Sequence, residues 1–122
     1  MTAYVIAADG GNSKTDLVLS TVDGEVLAQV QGGGTHPHLT GMDRTAEDLA
    51  AMVARVRERA GLPASAKIGV GAFYLANVDV AADEREALAA LGRLNVVEQL
   101  TVYNDAFAVL KMWSQPPSLW GR

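Results

Sequence analysis

Residues 7–16 read AADGGNSKTD. An apolar run ends here in an acid, two glycines follow, and then come Asn12, Ser13, Lys14, Thr15 and a second acid, Asp16. Read locally, Gly10, Gly11 and Asn12 form a turn between two strands, because glycine and asparagine tolerate positive φ. Read chemically, the same turn is a cradle for phosphate. Glycine lets backbone amides approach an oxygen closely, Ser13 adds a hydroxyl donor and Lys14 adds charge. Asp9, at the end of a strand, could then hold Mg²⁺ directly or through water. The stretch is neither a P-loop nor a dinucleotide-binding fingerprint, since the spacings of both are absent. Taken alone, these residues leave both readings open.

Working outward, residues 4–9 read as a short buried strand rich in Val, Ile and Ala. Residues 16–21 (DLVLST) and 25–31 (EVLAQVQ) are two further apolar-rich runs, and Asp23-Gly24 between them is a two-residue hairpin signal. QGGGTHPHLTG, residues 31–41, holds too much Gly and Pro for regular structure and reads as a loop. A helix follows. Thr45 and Asp48 resemble a capping box, Leu49, Val53, Val56 and Ala60 recur at helical spacing, and Gly61 and Pro63 mark the stop. Residues 67–73 (KIGVGAF) predict a fourth strand, 81–91 a second helix ending at Gly92, and 99–103 (QLTVY) a fifth strand. NDAFAVLKMW, from residue 104, opens a third helix with Asn104 or Asp105 at its cap. The order β-β-β-α-β-α-β-α predicts a mixed five-stranded sheet with helices on both faces.

Composition narrows the function classes. The chain has 122 residues, 49% hydrophobic and 20% charged, enough for one domain with a packed core. A net charge of −4 argues against a nucleic-acid-binding face. With no cysteine, this chain supplies no disulfide, thiolate metal site or iron–sulfur ligand. No apolar run approaches the ~18 residues of a membrane helix, and the N-terminus lacks the basic region of a signal peptide. We therefore expect a cytoplasmic protein with no membrane partner.

Two further stretches bear chemistry. In VYNDAFAVL, residues 102–110, the Asn-Asp pair is either a helix cap or the seat of a general base, Asp105, that takes a proton from an attacking hydroxyl. His36 and His38 in the glycine-rich loop are too few for a metal site and suit a ligand-contact loop or a plain surface loop. Asp83, Glu84 and Glu86 are most simply acids in the solvated first turn of a helix.

Together, DGGNSKTD, GGGTHPH, GVGAFYLANVD and YNDAFAVL resemble, in order and spacing, the N-terminal half of the BadF/BadG/BcrA/BcrD-type ATPases, a group that includes N-acetylglucosamine kinase. The resemblance runs from residue 4 to about residue 110. It implies a ribonuclease H-like, actin-like ATPase fold and an ATP-dependent sugar kinase. By the same resemblance Gly10, Gly11, Asn12, Ser13 and Lys14 would contact ATP phosphates, and Asp9 would bind Mg²⁺ through water. Asp105 would be the base on a sugar hydroxyl, with Asn104 beside it and Thr35 and His36 at the sugar. His36 stands where the amino-sugar kinases carry an asparagine, a departure that bears on which sugar is bound.

The family also carries a second lobe. Residues 1–112 are therefore expected to be the N-terminal lobe, and residues 113–122, which hold both tryptophans and Pro116-Pro117, an irregular tail that reads as a truncation. The expected ligands are a small-molecule sugar and a nucleotide. Two alternatives stand beside the kinase. One is a non-catalytic module that pairs with a partner or forms a homodimer, and the other is the activator ATPase of 2-hydroxyacyl-CoA dehydratases.

Overall fold

A computed structural model describes residues 4–11, 13–35, 40–63, 65–75 and 81–103. The elements run β1 (Tyr4–Gly10), β2 (Lys14–Thr21), β3 (Val26–Gly33), α1 (Met42–Ala60), β4 (Ile68–Leu75), α2 (Ala81–Arg93) and β5 (Gln99–Tyr103). The third helix, Asn104, Asp105 and the tail lie outside the described residues.

The five strands form one sheet in the order β3-β2-β1-β4-β5. β1 is central, antiparallel to β2 and parallel to β4. Its run Val5, Ile6, Ala7 and Ala8 is buried at every position, as a strand covered on both faces requires. Register puts Ile6 opposite Leu19 and Gly71, Ala8 opposite Leu17 and Phe73, and Phe73 opposite Val102. These residues share one face. They form a single core with Leu49, Met52, Val53 and Val56 of α1 and Ala87, Ala90 and Leu91 of α2. The two helices also pack on each other, so both cover this face. On the opposite face Val5, Ala7, Ala72 and Tyr74 are buried as well.

Several boundaries differ from expectation. β2 begins at Lys14, β4 runs on to Leu75, and Gly32 and Gly33, expected in a loop, belong to β3 because they pair with Thr15 and Lys14 of β2. The β2–β3 hairpin has a three-residue loop, not a two-residue one. The Gly24 amide donates to the Thr21 carbonyl, and the Thr21 amide to the Glu25 carbonyl. Gly24 takes the positive φ of 96° that this loop needs, and the register slips once near Leu19. Helix α1 starts at Met42, before the expected capping box. Thr45 is buried inside the first turn, where its hydroxyl donates to the Gly41 carbonyl at 3.1 Å. Asp48 is spent on Arg44 at 3.1 Å. Helix α2 runs past Gly92 to Arg93, and the left-handed residue beyond it is Asn95, φ 53°. The C-terminus of α1 is as expected. Gly61, φ 72°, donates to the Glu58 carbonyl and Leu62 to the Arg57 carbonyl, the paired bonds of a Schellman end.

Candidate functional site

Because β3 and β4 both run parallel to β1, and β5 parallel to β4, four strands end at the same edge of the sheet. In open α/β sheets ligands bind beyond such carboxyl ends. The DGGNSK hairpin follows β1, and the glycine-rich loop follows β3. β5 ends there at Tyr103, directly before Asn104 and Asp105 in sequence.

The hairpin turn is tight. The Gly11 amide donates to the Lys14 carbonyl at 2.8 Å, so this donor closes the turn. Ser13 and Lys14 are exposed beyond it. Gly10 is buried, and its glycine is required by packing. A Cβ there would lie 2.7 Å from the Thr35 hydroxyl and 2.9 Å from a Leu75 methyl. Thr35 is itself buried, and its amide donates to the Gly11 carbonyl at 3.0 Å. Thr15, wholly buried, donates its hydroxyl to the Gly33 carbonyl at 2.7 Å. The two loops are therefore joined by hydrogen bonds on both sides. Next to them, a Cβ at Gly32 would strike the Met52 sulfur at 2.9 Å, whereas one at Gly33 would meet nothing within 4 Å. A cleft of about 270 Å³ lies between this loop and α1, with Gly33, Gly34, Thr45, Asp48 and Arg55 in its walls.

On the opposite face of the sheet the same edge carries charge. Asp9 pairs in register with Asp16, and Tyr74 lies beside Asp9 on β4. Gln31 donates to Asp16 at 2.8 Å, and the Lys14 ammonium lies 3.8 Å from the other Asp16 oxygen. Burial pushes the Asp9 carboxyl above the ordinary aspartate range; Asp16 pushes the same way, and Lys14 pulls back. Two facing carboxylates at a strand end are hard oxygen donors whose repulsion a divalent cation would relieve. Asp9 is the carboxylate at this edge that would hold a cation.

No protein-family model matches the chain. Its structure is similar to that of the assigned N-acetylglucosamine kinase of Chromobacterium violaceum, with 24% identity, a TM-score of 0.67, and coverage of 88% of this chain and 37% of that one. The corresponding Porphyromonas gingivalis protein gives 21% identity and a TM-score of 0.55, over 81% of this chain and 33% of that one. The ROK hexokinase of Thermus thermophilus gives 21% and 0.56, over 94% and 39%. The likeness is one of fold: this chain has the mixed five-stranded α/β fold of the matched part of those three proteins.

The chain spans between 33% and 39% of the length of those three neighbours. The structure brings Asp9, Gly10, Gly11, Ser13, Lys14 and Thr35 to one edge of the sheet. Asn12, His36, Asn104 and Asp105 lie outside the described residues. Sequence reasoning passed over Thr15, Asp16 and Gln31. The hairpin turn between β1 and β2 pairs Gly10 with Thr15 and Asp9 with Asp16. Counting outward from that turn was the available signal for the facing acids. Among the described residues no helix is long and apolar enough to cross a membrane.

Proposed function

We propose that the chain is the N-terminal lobe of an ATP-dependent sugar kinase of the BadF/BadG/BcrA/BcrD type, acting on an amino sugar such as N-acetylglucosamine. One observation carries the reading: the serine- and lysine-tipped hairpin and the glycine-rich loop are hydrogen-bonded together where four parallel strands end. The sugar-kinase fold supports it. The hairpin, residues 10–14, would seat the phosphates of ATP. With the Gly11 amide engaged, the Ser13 hydroxyl, the Lys14 ammonium and Asn12 carry most of that contact. Thr35 would hold the loop that places His36 at the sugar, with Asn104, next to Asp105 in sequence, as a further sugar contact. Asp105 would accept the proton of the sugar hydroxyl as that oxygen attacks the γ-phosphate. Phosphoryl transfer asks mainly for positioning and charge stabilisation, which this set of groups offers. Asp9 would hold Mg²⁺ through water, and the ion supplies charge neutralisation on the phosphates when bound.

Isothermal titration of the chain with Mg-ATP, with and without N-acetylglucosamine, tests the reading. Saturable binding of both ligands is the expected result. A folded chain that binds neither would count against a working site in this lobe. The second reading is a non-catalytic module that pairs with a partner or a second copy. Sedimentation that finds a monomer at all concentrations would exclude self-pairing.

A further inference from the structure

The site stands on two loops from different strands, and one side chain fastens them at their root. Thr15 is the first residue of β2 to point into the helix-covered core beyond the hairpin turn, and it is wholly buried. Its hydroxyl reaches the carbonyl of Gly33, the last residue of β3, at 2.7 Å. Two residues later the Thr35 amide donates to Gly11. The side chain of Thr35 occupies the space that Gly10 leaves open. Residues 32–34 are all glycine; Gly32 and Gly33 pair with Thr15 and Lys14 at the end of the β2–β3 ladder, and no side chain of the run adds to that hold. Glycine loses the most backbone freedom on ordering, so such a run depends on anchors from outside.

We propose that Thr15 is a positioning residue whose hydroxyl holds the glycine-rich loop in register with the DGGNSK hairpin, so that the two loops move as one unit. This rests on the sugar-kinase reading for the identity of the ligands, not for the geometry. The hydroxyl is the operative group. Valine would keep the shape and the strand preference of threonine but cannot donate, and the Gly33 carbonyl would lose this donor. Serine would keep the donor.

Amide hydrogen exchange of the whole chain tests this in Thr15→Val and Thr15→Ser. In Thr15→Val the Thr35 amide is expected to exchange roughly tenfold faster, while amides of β1 keep their protection. In Thr15→Ser it should match the wild type. Unchanged exchange at Thr35 in Thr15→Val overturns the proposal, as does equal loosening in Thr15→Ser. Should Thr15→Val fail to fold, Thr15→Ala makes the same comparison without the added methyl. Titration then connects the loop to its ligand. The dissociation constant for N-acetylglucosamine should rise roughly tenfold in Thr15→Val and recover in Thr15→Ser, while that for Mg-ATP stays within about twofold. A wild-type chain that binds no sugar counts against the sugar-kinase reading, and the exchange result then decides the role of Thr15 by itself.

Discussion

Asp9 and Asp16 face each other across the first hairpin, and the arrangement costs stability when both are charged. Burial and Asp16 raise the Asp9 pKa in the folded chain. The sign follows from linkage. Stability from this group is fully present below the unfolded-state value of about 4, and is lost as pH rises through the higher folded value. Ionised Asp9 therefore opposes folding at neutral pH. In the absence of divalent cations, Asp9→Asn is expected to raise Tm at pH 7, and the gain should vanish near pH 3. Added Mg²⁺ should raise the wild-type Tm more than that of the variant. Thermal denaturation checks both, and a lower Tm for Asp9→Asn at pH 7 would contradict the assignment. The glycines differ in kind. Gly10→Ala would place a methyl against Thr35 and Leu75 and is expected to cost about 1–3 kcal/mol in urea denaturation. Gly33→Ala enters open space, and its cost should stay within about 0.5 kcal/mol.

At the scale of elements, the start of α1 separates two accounts of one motif. A capping box at Thr45 and Asp48 would make Asp48 worth about 1 kcal/mol. In the structure Asp48 is an exposed partner of Arg44 one turn away. Asp48→Ala is thus expected to cost no more than about 0.5 kcal/mol by chemical denaturation. A loss twice as large would restore the capping box. Helix α1 was legible at its core face and its C-terminus, because Leu49, Val53 and Val56 keep helical spacing and Gly61 must take a left-handed φ. Its N-terminus was not. Gly41 begins the helix without a side-chain cap, so no residue type announces the start. The Asp23-Gly24 hairpin was legible as a turn, but the length of its loop was set by the pairing of Thr21 with Glu25.

The whole molecule is organised by β1. Its apolar run pairs with β2 and β4, and its last residues lead into the hairpin that carries Ser13 and Lys14. The run of elements and the mixed sheet were legible from apolar runs and turn residues, but the order β3-β2-β1-β4-β5 was not, because it is set by the pairing of β1 with β4 and β4 with β5. The site was less legible. Thr15 had no role of its own in the sequence, since its bond to Gly33 exists only once β2 and β3 are paired. The sheet edge and the joined loops are the observations on which we rest the proposal of a kinase, with Asp105 as its proposed proton acceptor. The most direct test is phosphorylation of N-acetylglucosamine by ATP in the full-length kinase of which we propose this chain is the N-terminal lobe, compared with its Asp105→Asn variant. The account predicts that kcat falls by about 10²–10⁴ with KM for the sugar little changed. Unchanged turnover in Asp105→Asn would contradict it.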